Sequence, residues 1–490
     1  MRQVVFVIAA ASLVSCASGT GTTGSARVDT RSELGTEADV FGSADVLVIA
    51  PHPDDETLMA AGVIARERAA GLRVAVAVVT NGDLGCERDG FVREGETVTA
   101  MKRLGLREED VFFLGYPDGH LEELGHVPLA PLVRRDGSGR CTPGNTTYAG
   151  RGAGRTDLHA LLTGRPGLYT SDALVFDLGS LIKKLRPRDV FVSHPVDEHP
   201  DHAFVYTYVR RALEAYAGVL PRIHRAVVHI GGCWPTKPGN PPCGEMRRFV
   251  PLADVPPLPP PLDVYVASER LDVPDAMKSA DPRANTKFLA ITDYPSQTGP
   301  LEPDLSYLFA FVRAREPFYV ETLTADGAGR VRRAQSKTEG SVGVAGPWRE
   351  EGSMSPHTSR RELAQHAPLR CRVGGAGTDS RFEVLHGAEG HYALRTTAKE
   401  VVLERVGANG APSEVSTMRR WPVPAAARPA VRHSLEVAVD VRPEEGGVAE
   451  ITVRRDGEVL GVVIDPRPLL VGSTVAATGA VLDQVRCEAF

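Results

Sequence analysis

From Asp45 to Ile230 the chain alternates short unbroken apolar runs with longer stretches of amphipathic period. The apolar runs read as strands over Ala44–Ala50, Arg73–Thr80, Val111–Leu114, Asp189–Ser193 and Ala226–Ile230. The amphipathic stretches predict helices over Glu56–Ala70, Val92–Leu104, Ser171–Leu185 and Ala203–Ala217. Near-continuous Val/Ile/Leu strands between helices predict an α/β fold, a Rossmann-like and mostly parallel sheet covered on both faces. The stretches Tyr116–Thr170 and Gly231–Pro261 carry little periodicity and read as large insertions. Asp275–Ala290 and Leu305–Val312 read as helical, and Phe318–Leu323 as extended. Beyond residue 370 the pattern changes to short alternating runs, among them Glu400–Val406, Ser434–Val441, Ala449–Arg454 and Val459–Ile464. Asp456-Gly457 between the last two is a hairpin signal, so a small all-β, sandwich-like region is expected. The intervening residues 326–369 are charged and weakly periodic and read as a linker.

The N-terminus breaks this pattern. Val4–Val14 is apolar apart from Ser12, follows Arg2, and is too short to span a bilayer. Leu13-Val14-Ser15-Cys16 has the form of a bacterial lipoprotein signal. The expected organisation is a signal peptide over 1–16, a polar tether over 17–42 and the α/β domain over 43–325. The linker and a β-sandwich-like domain over 370–490 follow. A lipidated Cys16 would hold the exported protein at the surface of a cell-envelope membrane, on its periplasmic or extracellular face.

Composition narrows the function classes. The 490 residues carry 42% hydrophobic and 24% charged residues and a net charge of −6, a globular composition with no basic stripe. With 6% aromatic residues there is no stacking platform either, and nucleic acid is not an expected partner. Nothing in the sequence fixes an oligomeric state. Six cysteines beyond Cys16 in an exported chain suggest disulfides. Of the fifteen possible connectivities, the preferred one is Cys86–Cys141, Cys233–Cys243 and Cys371–Cys487. None of the six has the CxxC spacing of a zinc knuckle or redox pair.

Two clusters carry the candidate chemistry. His52-Pro53-Asp54-Asp55-Glu56 follows the first strand, and His199-Pro200-Asp201-His202 follows the Asp189–Ser193 strand. In open α/β sheets ligands bind beyond the carboxyl ends of strands, where both clusters fall. Alone, Asp54, Asp55 and Glu56 would read as helix-capping carboxylates. A preceding His52 and a second His/Asp cluster point instead to a metal-assisted hydrolase. A catalytic zinc takes three His or carboxylate ligands and leaves a position for water. His52 and Asp55 supply two from one turn, and a histidine of the second cluster a third. Asp54 is then the free carboxylate for general base work, and His199 a donor to an oxyanion.

These motifs resemble the PIG-L / LmbE-like family of zinc-dependent N-deacetylases. The resemblance rests on Pro51–Glu56 and His199–His202, and spans about Asp45 to Tyr319. Thr80-Asn81-Gly82, the helix positions Arg93, Glu96, Ala100, Leu104 and Gly105, and Leu114–Gly119 extend it. Lys287 with Ser296-Gln297, and Arg313 with Glu316 and Phe318, add weaker signatures. The resemblance implies one Zn2+ per chain on His52, Asp55 and His202. It implies Asp54 as general base and later acid, and His199 as oxyanion stabiliser. Arg93 and Asp118 would hold sugar hydroxyls, although an intrahelical pair with Glu96 for Arg93 and a turn role for Asp118 read equally well.

The implied substrate is an N-acetylated amino sugar or glycoconjugate, of the N-acetylglucosamine type. The export signal favours an envelope or extracellular glycan. An amidase acting on a larger amide-linked glycoconjugate, or a non-catalytic glycan-binding lipoprotein, are the alternatives. A nucleotide-binding reading fails because the first strand end lacks G-x-G-x-x-G.

Overall fold

The computed structural model describes residues 41–490, except 85, 133–143, 232–233, 237–248, 260–261, 263–265, 299–306, 326–330, 334–348, 351–357, 409–414, 424–432, 443–447, 479–480 and 490. The expected signal peptide, Cys16 and most of the tether lie outside the described residues. Among the described residues no helix is long and apolar enough to cross a membrane.

Strands β1 (Val46–Ala50), β2 (Val74–Thr80), β3 (Val111–Tyr116), β4 (Asp189–Ser193) and β5 (Arg222–Ala226) pair in parallel. β6 (Glu269–Asp272), β7 (Arg315–Ala325) and β8 (Val331–Arg333) extend the sheet antiparallel, giving the order β3-β2-β1-β4-β5-β7-β6 with β8 on β7. All residues of β1 to β4 are buried, as their unbroken apolar sequences require of strands covered on both faces. The covering helices are α1 (Asp55–Ala69), α2 (Glu87–Arg103), α3 (Leu158–Thr163), α4 (Ser171–Leu185), α5 (Pro200–Glu214), α6 (Thr286–Thr292) and the short α7 (Pro295–Thr298). The chain runs outward from β1 to β2 and β3, then returns to β4 on the other flank of β1. The carboxyl ends of β1 and β4 therefore diverge at a topological switch point, where such sheets open a crevice.

Helix α1 is broken at Ala60, whose φ of −140° and ψ of 17° are not helical. The amides freed by the break need new acceptors. Gly62 and Val63 donate to the two oxygens of Glu316 at 2.8 and 3.1 Å. Lys287 Nζ neutralises that carboxylate at 2.7 Å and donates to Leu58 O at 3.0 Å.

Three differences from the sequence reading have local causes. The fifth strand lies over Arg222–Ala226 and not over Ala226–Ile230, sharing only Ala226 with the expected run, because the amides of Val228 and His229 turn onto Asp197. The helix expected over Asp275–Ala290 resolves into two 3₁₀ turns and α6, since Pro282 interrupts it and the Asn285 side chain caps a fresh start on Phe288 N. The stretch 326–369, read as linker, contains a strand over Thr358–His366 that pairs with Val471–Thr478 through its backbone. Its mixed polar sequence hid it, because ladder bonds need no apolar alternation.

The C-terminal region forms two antiparallel sheets of seven and five strands. They pack face to face. Trp421 of one sheet lies over Gly461 of the other, and Tyr392 donates to Asp465 Oδ2 at 2.6 Å across the gap. Trp421 and Tyr392 are buried core residues, not an exposed platform. The Asp456-Gly457 turn has φ of 53° and 89°, as a two-residue hairpin of this type needs. Cys371 and Cys487 form a disulfide between neighbouring strands. Cys86 is also disulfide-bonded. Its expected partner Cys141, and the pair Cys233–Cys243, lie outside the described residues. The β region meets the α/β sheet through buried charges. Tyr206 OH and Arg210 Nη1 of α5 lie 3.5 and 3.6 Å from Glu450 Oε2 and Oε1, and Arg225 lies 3.4 Å from Glu450 Oε2.

Candidate metal centre and active site

The turn after β1 and the first turn of α5 meet at the switch point. His199 is the N-cap of α5 and Pro200 its first residue, which suits a position without a free amide. Asp201 and His202 follow on the buried side of that first turn. Asp54, the N-cap of α1, has φ of 117°, a conformation costly for a residue with a Cβ and frequent at functional turns.

His52 Nδ1, Asp55 Oδ2 and His202 Nε2 form a nearly equilateral triangle. Its edges are 3.2 Å (His52–Asp55), 3.1 Å (His202–Asp55) and 3.1 Å (His52–His202). A tetrahedral ion with bonds of about 2.0–2.1 Å places its ligand atoms roughly 3.3 Å apart. The far nitrogen of each imidazole faces carboxylate. His52 Nε2 lies 3.1 Å from Asp201 Oδ2 and 3.1 Å from Asp118 Oδ1, and His202 Nδ1 lies 3.2 Å from Asp197 Oδ2. Those partners hold the outer N–H protons and turn two lone pairs and a carboxylate oxygen toward one point. That donor set fits a zinc ion.

The electrostatics follow from burial and carboxylate crowding. Burial alone would lower His202, but Asp55 and Asp197 outweigh it and raise it to about 10. Burial likewise opposes protonation of His52, yet Asp118, Asp201 and Asp55 carry it well above its ordinary value. Burial raises Asp54 to about 7 against the opposing pull of Arg93. Burial raises Glu56 to about 8, and its carboxyl is held by Tyr294 OH. Asp118 is held at about 2 despite burial, chiefly by His52. His199 is lowered by burial and by His52, and its buried Nδ1 has no hydrogen-bond partner among the described residues.

These groups open into a cavity of about 530 Å³, lined also by Arg93, Leu58, Ser296, Gln297, Tyr307 and Leu308. Of the seven residues given site roles from the sequence, His52, Asp54, Asp55, Arg93, Asp118 and His199 line this cavity, and His202 is buried beside His52 and Asp55. The structure gives Arg93 and Asp118 internal partners besides the cavity face. Arg93 Nη1 donates to Gly82 O at 2.8 Å, and its Nη2 to Pro53 O at 2.5 Å and Asp54 Oδ2 at 3.3 Å. Asp118 accepts from Leu84 N at 2.9 Å while contacting His52. The Glu96 alternative for Arg93 is not what forms. Glu96 instead accepts from Ser296 N at 2.8 Å and Ser296 Oγ at 2.5 Å.

Three residues were missed. Asp197 ties His202 to the backbone amides of His199, Val228 and His229. Asp201, quoted only as part of its motif, accepts from Gly119 N and Leu121 N at 2.7 and 3.1 Å and so orients His52. His229 borders the cavity with its ring 4.8 Å from that of His202, and is lowered to about 4 by burial and by His202. In the sequence it falls inside the run Ala226–Ile230 read as a strand, so no signal marked it.

Fold and site together give an α/β domain with a His₂Asp cluster, able to hold a metal ion, at its switch point. A family model described as PIG-L: GlcNAc-PI de-N-acetylase matches residues 47–213. A 1D-myo-inositol 2-acetamido-2-deoxy-alpha-D-glucopyranoside deacetylase of Kineococcus radiotolerans is 29% identical over 187 residues, 35% of this chain and 45% of that protein. The chain thus spans less than half the length of that relative. Among solved structures, the N,N'-diacetylchitobiose deacetylase from Pyrococcus horikoshii is 16% identical, with a TM-score of 0.34 over 58% of this chain and 85% of that one. A teicoplanin deacetylase is 15% identical, with a TM-score of 0.33 over 59% and 98%. Likenesses of that size carry no argument about substrate.

Proposed function

We propose that this protein is a zinc-dependent hydrolase that removes the acetyl group from an N-acetylated amino sugar, of the N-acetylglucosamine type. The observation that carries the reading is the triangle of His52 Nδ1, Asp55 Oδ2 and His202 Nε2, with edges of 3.1–3.2 Å, at the wall of the cavity. The PIG-L match and the deacetylase relative support the same reaction class. His52, Asp55 and His202 would hold the ion, which when bound acidifies a water and polarises an acyl oxygen.

Asp54 is the carboxylate beside the triangle that is not spent on it, and Arg93 at 3.3 Å fixes its direction. It takes the proton of the attacking water and returns a proton to the leaving amine, so the amide ends as acetate and a free amino sugar. His199, across the cavity, donates to the oxygen that gains charge as the carbonyl is attacked. Arg93 and Asp118 line the opening and present polar atoms to sugar hydroxyls.

The Val4–Cys16 segment motivates the further proposal that the protein is exported, lipid-anchored at Cys16 and works on an envelope or extracellular glycan. The test is acetate release across a panel of N-acetylated oligosaccharides and glycolipids, with and without chelator. Asp54→Ala should abolish turnover while zinc content stays at one ion per chain. Absence of acetate from every substrate with the zinc-loaded protein would sink the proposal.

A further inference from the structure

We infer that His229 is a further catalytic residue of this site, donating a ring N–H to the acyl oxygen of the substrate, and that Tyr307 is the positioning residue that fixes its tautomer. The inference rests on the deacetylase reading above.

Four observations converge on His229. A ring nitrogen of His229 and one donor atom each of Asp55 and His202 lie within 4.8 Å of one another, so the imidazole reaches the centre. It stands on the cavity wall with Tyr307, where substrate enters. Its backbone is fixed at both ends, because His229 N donates to Asp197 Oδ2 at 3.0 Å and His229 O accepts from Glu198 N at 2.9 Å. The same Asp197 carboxylate faces His202 Nδ1, so one group sets the placement of both histidines. Finally, His229 Nδ1 lies 3.1 Å from Tyr307 OH.

That last contact decides what His229 can do. A neutral imidazole has one N–H and one lone pair. The 3.1 Å contact admits either direction; in the arrangement we infer the phenol donates and Nδ1 accepts, which leaves the proton on Nε2. A protonated Nε2 cannot ligate a metal, but it can donate to an oxygen that gains negative charge beside one. His199, whose ring centroid is 5.7 Å away, approaches the same space from the start of α5. Two neutral N–H donors on different elements would then flank the acyl oxygen, a preorganised arrangement for a tetrahedral oxyanion.

The opposite tautomer would make His229 a fourth metal ligand, and one set of measurements separates the two. Zinc affinity by chelator competition, acetate affinity of the zinc-loaded protein by calorimetry, and kcat and KM should be compared for wild type, His229→Ala, His229→Gln and Tyr307→Phe. The expected result for His229→Ala is unchanged zinc affinity and KM with kcat lower by about 10²–10³-fold. Acetate, whose carboxylate presents the same oxygen, should bind at least about tenfold more weakly. His229→Gln, which keeps an N–H donor on a longer side chain, should regain part of both. Tyr307→Phe should lower kcat with zinc affinity intact. Weaker zinc binding in His229→Ala would overturn the inference in favour of a ligand, and unchanged kcat and acetate affinity in favour of a passive wall. A wild-type enzyme inactive on all N-acetylated glycans would defeat the deacetylase reading, while acetate affinity would still report on His229.

Discussion

Asp197 offers the sharpest test of how the centre is held, because it backs the expected ligand His202 without belonging to the triangle itself. It is 4% exposed, yet it is ionised. Burial would raise its pKa, and His202, His229 and the surrounding amides bring it below the ordinary value. Its two oxygens serve His199 N at 3.1 Å, Val228 N at 2.7 Å, His229 N at 3.0 Å and the His202 ring at 3.2 Å. Replacing it with alanine has two separable effects. Loss of a carboxylate behind a metal-ligating histidine costs about 10–100-fold in metal affinity, because ring orientation and basicity both relax. Three amides also lose their acceptor, at about 1–3 kcal/mol for each that water cannot reach. Asp197→Ala should therefore weaken zinc binding by at least about tenfold and destabilise the metal-free protein by about 3 kcal/mol or more. Asp197→Asn should fall between, since its amide keeps one acceptor but turns a donor toward donors. Chelator competition reads the first effect, and urea unfolding of the metal-free protein the second. Wild-type zinc affinity in Asp197→Ala would refute the claim that this carboxylate orients His202.

Other outcomes follow from packing and charge. Glu450→Ala takes a carboxylate from the fully buried Arg225, which keeps Tyr319 O at 3.2 Å, and should cost about 1–3 kcal/mol, read by thermal unfolding. A loss below about 1 kcal/mol would mean that the two regions are not joined through these charges. Gly115→Ala combines a φ of +70° with a Cβ 2.2 Å from Tyr148 O, so it should cost at least about 2 kcal/mol. Gly71→Ala, at φ +81° with nothing within 4 Å, should cost about 1 kcal/mol from backbone strain alone. Asp110 is held below its ordinary pKa, burial notwithstanding, by Arg107 and Arg73. Its stabilisation is present above about pH 4 and lost as pH falls through the depressed value. Because Arg107 is largely exposed, Asp110→Asn should cost only about 1 kcal/mol in urea at neutral pH, with the gap closing in acid.

Much of this was legible in the sequence, for definite reasons. Four of the five parallel strands were readable because burial on both faces leaves unbroken apolar runs such as Val46–Ala50, whereas β5, of sequence Arg-Ile-His-Arg-Ala, overlaps the expected run only at Ala226. Ser171–Leu185 was readable to the residue, since Thr170 caps it and Arg186 ends it in the left-handed region. His52, Asp55 and His202 were readable because two short motifs fall at strand ends that the winding of the sheet makes adjacent. What stayed hidden depended on distant partners. His229 has no motif around it, and its role emerges only when Asp197 fixes where β5 stops. The strand Thr358–His366 is held by its ladder to residues more than a hundred positions away. Glu316 and Lys287 were noticed as a weak pattern, without their task at the break in α1.

That break has a consequence for where the protein can be cut. The turn bearing Asp54 and Asp55 sits on the first half of α1, and the second half starts on two amides that donate to Glu316. Residues 47–213 hold all three expected zinc ligands, yet a fragment ending there would take Glu316 from Gly62 and Val63 and Lys287 from Leu58 O. The smallest autonomous version of this centre must reach β7. During synthesis the site would likewise remain unfinished until the ribosome has released a residue more than 250 positions downstream of the helix it completes.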